Sequence, residues 1–267
     1  AYFCASVITD PEDASGRMLI LDTLRHSYID MDEPTHLEFE YARAFVDVID
    51  AQFTAQQPLD VLHVGGGGFA LPRYLNAARP GSRNLVLELD PELIRLARAE
   101  LDLRTSPNLE VRAGDARLGI RQLPTDSRDV VIGDAFGGLA VPWHLTTSEF
   151  VAEVDRVLRP GGLYVLNLID HPPSAFARAE TATLAAAFPE TAVIAPPTLL
   201  DRSEGGNFVL AAGPLDVARI RQRLEASDAA EAIIAGAQRE QFAGDAPVLT
   251  DDYAPVDQLL EPRMTTG

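Results

Sequence analysis

Four carboxylates stand where apolar segments of the chain run out: Glu88 and Asp90 in LVLELDPELI, Asp115 in VRAGDA and Asp134 in VVIGDAFGG. Ahead of them, VLHVGGGGFALPRYL (residues 61–75) puts four consecutive glycines, Gly65 to Gly68, between a short apolar run and a helical pattern. Such a run lets a ligand lie against backbone amides at a helix N-terminus. A tight turn or close helix packing also selects glycine, so the run alone leaves both readings open. The acids narrow the choice. One placed about twenty residues after the glycines is where a carboxylate accepts hydrogen bonds from ribose hydroxyls. Carboxylates crowded at one edge repel unless something polar or cationic joins them, and a nucleoside site is the economical explanation.

The elements that must position these residues follow from periodicity. Residues 2–9, 18–21 and 24–29 are short, apolar or alternating, and broken by turn formers such as DPEDASG, so they read as strands. From Thr35 the pattern HLEFEYARAFVDVIDAQF predicts a first helix, with Leu37, Tyr41, Ala44 and Val48 on one face. Strands at 60–64, 84–89, 109–112, 129–133 and 162–169 then alternate with helices at 71–78, 91–101, 117–122, 148–158 and 174–188, and strands at 191–194 and 207–212 follow. Such alternation predicts an α/β fold, a doubly wound, mostly parallel Rossmann-like sheet with a small N-terminal β-strand unit. Its active edge lies at the carboxyl ends of the strands. The expected division is a β unit over 1–34 and a nucleoside-binding catalytic domain over 35–267, with a tail, 245–267, near the site. Residues 215–267 read as one helix, an Ala-rich stretch and a loop.

Composition is that of a globular chain: 267 residues, 46% hydrophobic and 23% charged. The 22 basic residues, all arginine, face 40 acidic ones, for a net charge of −18. That surface repels phosphate backbones, which argues against nucleic acid as a partner. It favours a cationic substrate, although solubility alone also selects acidity. No apolar run approaches the roughly 20 residues of a membrane span, and no basic-then-apolar leader opens the chain, so a soluble, cytoplasmic protein is expected. The first residue, Ala1, leaves room for a longer, membrane-linked precursor. Cys4 is the single cysteine, and His26 and His36 lack ligand spacing, so no metal is assigned.

The series VLHVGGGG, LELDPELI, RAGDA and VVIGDAF, followed by VLRPGGLYVLN, resembles the class I S-adenosylmethionine-dependent transferase fold. Pyrophosphate-type GxGxxG spacing is absent. Within that fold the chain looks like the spermidine synthase, or polyamine aminopropyltransferase, family. The signs are the small β unit, the segment LILDTLRHSYIDMDEPTHLEFEY and the tail motif LTDDYAPVDQLL. The resemblance implies decarboxylated S-adenosylmethionine or S-adenosylmethionine as co-substrate, a small cationic amine as acceptor, and a homo-oligomer, commonly a dimer. It also implies roles. Gly65, Gly66 and Gly67 approach the methionine-derived portion, Glu88 and Asp90 the ribose side, and Asp115 with Ala116 the adenine. Asp134 becomes the catalytic base, because an amine attacks only through an unprotonated lone pair. Local sequence also allows Asp134 to be a helix N-cap.

The chain departs from the family pattern on the amine side. The glycine loop continues with Gly68 where the family has an acid, and Gly137 stands where it has a second acid after Asp134. The triplet contributing to the polyamine and cofactor pocket appears as His36, Leu37 and Glu38, and a pocket tyrosine ahead of the last strand is missing from PPTLLDRSEGG. Candidates to replace the lost acids are Asp251, Asp252 and Tyr253 in the tail, with Tyr28, Asp30 and Asp32 from the entry segment. Trp143 and His144 follow Asp134 and either cover the cofactor or pack locally. Arg219, Arg221 and Arg223 read as a solvated helix face. An aminopropyltransferase, a small-molecule methyltransferase and a non-catalytic nucleoside- or polyamine-binding homologue all remain compatible with these residues.

Overall fold

The computed structural model describes residues 4–138, 140–227 and 229–260. Residues 2 and 3 of the first expected strand, and 261–267 of the tail, lie outside the described residues. Strands β1 (Ala5–Thr9), β2 (Gly16–Leu21) and β3 (Leu24–Asp30) form an antiparallel sheet in that order. Between β2 and β3, Leu19 faces Ser27 while Ile20 faces Arg25, so His26 is an extra residue that bulges the strand.

Next come α1 (Glu40–Gln52), β4 (Asp60–Val64), α2 (Ala70–Ala78), β5 (Arg83–Glu88), α3 (Pro91–Glu100), β6 (Leu109–Ala113), α4 (Ala116–Ile120) and β7 (Arg128–Gly133). A single 3-10 turn at Trp143–Leu145 leads to α5 (Ser148–Val157), β8 (Leu158–Asp170), α6 (Ala175–Ala187), β9 (Thr191–Ala195), α7 (Pro197–Leu200) and β10 (Gly206–Ala212). The chain closes through α8 (Val217–Ala226), β11 (Ala232–Ala235), α9 (Ala237–Ala243) and α10 (Val256–Leu260). Among the described residues the large sheet has the order β11-β9-β10-β8-β7-β4-β5-β6. The pairs from β8 through β6 are parallel, and β10 and β11 run antiparallel to their neighbours. This is the mostly parallel, doubly wound sheet expected from the alternation. The chain winds outward from β4 to β6, returns to β7 and winds the other way, which opens a crevice at the carboxyl ends of β4 and β7.

Strand β4 is buried along its whole length, as a parallel strand covered by helices on both faces must be. Its side chains alternate. Val61 packs in the cluster that holds Phe45 and Ile49 of α1, whereas Leu62 and Val64 join Phe150 of α5 and Phe176 of α6. Those three phenylalanines are fully buried, and each contributes about 1.5–3 kcal/mol of transfer free energy. No helix among the described residues is long and apolar enough to cross a membrane.

Three local expectations need correction. The first helix starts at Glu40, not Thr35, with extended Phe39 as its N-cap. The carbonyls of Leu37 and Glu38 accept from the Arg43 guanidinium at 2.8 and 2.9 Å instead of from helical amides, so Leu37 is buried from an irregular segment. The Ala-rich stretch after α8 contains a strand. Ile233 and Ile234 pair with Ile194 and Val193 at the edge of the large sheet, where tertiary pairing overrides the helical tendency of alanine. Arg223 is no solvated residue either: it sits 3.2 Å from Asp47 and 2.9 Å from Asp50, tying α8 to α1.

Candidate active site

At the crevice, the glycine run is crowded chiefly by the protein itself. Gly65 adopts φ +94°, and a Cβ there would lie 2.5 Å from the Asp134 carbonyl oxygen. A Cβ on Gly66 would meet the Phe69 ring at 2.8 Å, and one on Gly68 would meet Ser27 Oγ at 2.6 Å. Gly67 takes φ +50° and has the His26 ring as its near neighbour. The close approach that excludes side chains is therefore that of β7 and β3, which brings the run against Asp134 and His26. The Gly66 amide is already used, donating to Glu88 Oε2 at 2.8 Å.

Glu88, at the end of β5, is 8% exposed and also accepts from the Asp90 amide at 2.8 Å. Burial pushes its carboxyl above the usual range, against the pull of these backbone donors. Asp90 caps α3 by accepting from the Glu92 amide, and Asp115 caps α4 by accepting from the Leu118 amide. The other oxygen of Asp115 lies 3.2 Å from His144 Nε2. Gly65, Gly67, Glu88, Asp90, Asp115, Ala116 and Asp134 all border one cleft of about 760 Å³, whose other walls include Leu93, Phe136 and Leu145. Gly66 borders the adjoining smaller cavity. Four carboxylates and apolar side chains thus enclose a space suited to a flat, hydrogen-bonding, cationic molecule.

Asp134 caps no helix. It follows β7, and its two oxygens accept from Tyr41 Oη and Asn167 Nδ2, each at 3.1 Å. Asn167 in turn accepts from Asn207 Nδ2 at 2.9 Å. Burial raises the Asp134 carboxyl to about 6, and the Asn167 and Tyr41 hydrogen bonds oppose that rise. Tyr41 is itself pushed well above its ordinary value by burial and by the Asp134 charge. A second cavity of about 590 Å³ also borders Asp134, walled by Phe39, Tyr41, Phe136, Asn167 and Asn207. One ionisable oxygen pair thus borders two spaces, which is the geometry a base needs to serve one molecule while another is held beside it.

A family model described as a methyltransferase domain matches residues 62–166. A solved structure of a probable spermidine synthase from Corynebacterium glutamicum superposes with a TM-score of 0.86 at 31% identity, covering 94% of each chain. The chain belongs to the spermidine synthase-like family. Among curated proteins, the polyamine aminopropyltransferase of Vibrio vulnificus is 32% identical over 128 residues, 45% of this chain and 43% of that one. The Chromobacterium violaceum polyamine aminopropyltransferase is 28% identical over 159 residues, 58% of this chain and 59% of that one. The chain spans about half the length of these two relatives.

In this spermidine synthase-like chain the amine-side candidates disperse. Asp251 Oδ2 pairs with Arg117 at 2.5 Å and Oδ1 accepts from Thr147 at 2.7 Å, which fastens the tail to α4 and α5 and turns the carboxylate away from Asp134. Asp252 and Tyr253 are exposed and border neither cavity. Asp30 accepts from the Asp32 and Glu33 amides as a turn. Tyr28 is 5% exposed and borders the small cavity behind the glycines, as does Glu38, whose carboxylate lies 3.3 Å from His36 Nε2. Trp143 is 51% exposed and packs edge-on against His144, which alone of the two reaches the cleft. Among the described residues no group of three or more His, Cys, Asp or Glu could hold a metal ion.

Sequence reasoning missed Tyr41, Asn167, Asn207 and His26. Tyr41 fits the apolar face of α1, and that pattern gives no sign of its hydroxyl's role. Asn167 and Asn207 carried a usable signal, because a lone amide inside an apolar strand needs a partner. His26 had none, since the bulge that turns it inward is not encoded by any local pattern.

Proposed function

We propose that the protein is an aminopropyltransferase that moves an aminopropyl group from decarboxylated S-adenosylmethionine to an amine. One observation carries this reading: the cleft beside Asp134 is bordered by Glu88, Asp90, Asp115 and Asp134, with no arginine among its described lining residues. A donor whose sulfonium and amino groups are positive and which has lost its carboxylate suits such a wall, whereas an intact methionyl carboxylate finds no cation there.

In this reading Glu88 holds the ribose hydroxyls, and Asp115 and Ala116 border the adenine. Asp134, raised to about 6, is ionised at neutral pH and takes the proton of the attacking amine. Tyr41 and Asn167 fix the carboxylate between the two cavities. The bound donor supplies an electrophilic methylene beside the sulfonium. A small amine enters from the second cavity.

A second reading is methyl transfer from intact S-adenosylmethionine, favoured by Gly68, where no carboxylate opposes that of the cofactor. Calorimetric titration with decarboxylated S-adenosylmethionine, intact S-adenosylmethionine and methylthioadenosine separates the two. Preference for the decarboxylated form by about 10-fold or more supports aminopropyl transfer. Equal or reversed preference moves the assignment to methyl transfer, and binding of none removes both.

A further inference from the structure

The second cavity holds an asymmetry that a diamine does not explain. A regular strand sends successive side chains to opposite faces, yet Leu24, Arg25 and His26, three consecutive residues of β3, all border the cavity beside Asp134. The bulge lets Arg25 and His26 share a face, since Ile20 pairs with Arg25 and Leu19 with Ser27, while Leu24 follows the turn at the start of the strand. Bulges re-aim side chains in this way beside active sites. The consequence is that Arg25 borders the same cavity as Asp134. Arg25 makes no ion pair or hydrogen bond within the described residues. Among the described residues it is the one arginine bordering any of the three cavities that touch Asp134. Among the described residues Asp134 is the only acid of this cavity, and the others beside Arg25 are aromatic, aliphatic, glycine, amide or imidazole groups. His26 is neutral there, its Nδ1 buried without a partner and its basicity lowered by burial.

We propose that the acceptor is a primary amine carrying an anionic group, of the ω-amino acid class, with its amine at Asp134 and its carboxylate on Arg25. A diamine places a second ammonium toward Arg25, where like charges repel. A carboxylate placed there gains charge-assisted, bidentate hydrogen bonds. Phe39, Tyr41 and Phe136 cover the methylene chain between the two ends. The inference rests on the aminopropyltransferase reading for its chemistry. The amine lone pair forms a C–N bond to the methylene beside sulfur, and the C–S bond breaks with its electron pair left on sulfur. Methylthioadenosine departs, and the proton of the new secondary ammonium passes to Asp134.

The test uses the protein saturated with methylthioadenosine, titrated calorimetrically with δ-aminovalerate and with putrescine, in the wild type, Arg25→Gln and Arg25→Glu. Because Arg25 is exposed on β3, both variants are expected to keep the wild-type melting temperature, which is checked first. The expected result is that wild type binds δ-aminovalerate on the order of 10-fold more tightly than putrescine. Arg25→Gln is expected to abolish that advantage and Arg25→Glu to reverse it. Tighter putrescine binding by wild type, binding of neither amine, or δ-aminovalerate affinity unchanged in Arg25→Gln overturns the proposal. So does a finding that Arg25 substitution weakens intact S-adenosylmethionine instead of the amino acid. Turnover with decarboxylated S-adenosylmethionine is read separately. Arg25-dependent binding without transfer keeps the acceptor assignment and rejects the aminopropyl reading.

Discussion

Asp134 is where sequence and geometry meet. Its position after an apolar strand marked it, but its chemistry depends on Tyr41 and Asn167, which lie 93 and 33 residues away. In the proposed aminopropyltransferase the carboxylate form is the working base, so kcat/KM is expected to fall as pH drops through about 6. Tyr41 donates to the ionised form, so removing it raises the carboxyl further. A pH profile of Tyr41→Phe is therefore expected to show its acid limb displaced to higher pH, and an unmoved limb rejects the assignment of the base. Asp134→Asn is expected to lower kcat by about 10²–10⁴-fold with donor affinity retained. At this scale the gathering of Glu88, Asp90, Asp115 and Asp134 around one cleft was legible, because each ends an apolar run. Arg25 and His26 were not, because nothing in LRHSYID announces that one residue lies outside the pairing register.

Among the elements, the tail acts as a fastening. Asp251 reaches Arg117, which is 8% exposed and also donates to the His144 carbonyl at 2.6 Å, so one guanidinium links α4, the 3-10 turn and the tail. The Asp251 side chain is 41% exposed, so solvent weakens the pair. Asp251→Asn is expected to cost about 1 kcal/mol in denaturant unfolding and to leave amine affinity unchanged. Full stability with weakened amine binding would instead return the tail to the acceptor side. Alternation of period 2 and period 3.6 made nearly every strand and helix of the large sheet readable. The exceptions share a cause. The start of α1 is decided by Arg43 occupying two carbonyls, and β11 by pairing with β9, and neither partner is local.

For the whole molecule, burial of charge sets the response to pH. Glu180 of α6 is fully buried, neither oxygen has a hydrogen-bond partner, and burial raises its carboxyl well above the usual range. A carboxyl with a raised folded value binds its proton more readily folded than unfolded, so stability falls as pH climbs above the unfolded value of about 4.3. Melting temperatures at pH 5 and pH 7 are expected to drop further for wild type than for Glu180→Gln, at about 2–4 °C per kcal/mol. Parallel drops would mean that Glu180 is not the group responsible. The doubly wound architecture and its crevice were legible at this scale because alternation with long connections admits few topologies. The charged interior was not, since Glu180 lies in an alanine-rich helix like any surface residue.

The bulge in β3 also has an evolutionary reading. The acids of the cleft follow β5, β6 and β7, whereas Arg25 stands beside an extra residue in a different sheet. Loss of the His26 codon is expected to restore the alternation and to change how β3 meets the cavity, with no change to any carboxylate of the cleft. If the proposed roles hold, a one-codon step in β3 changes the acceptor wall and leaves the donor wall as it is.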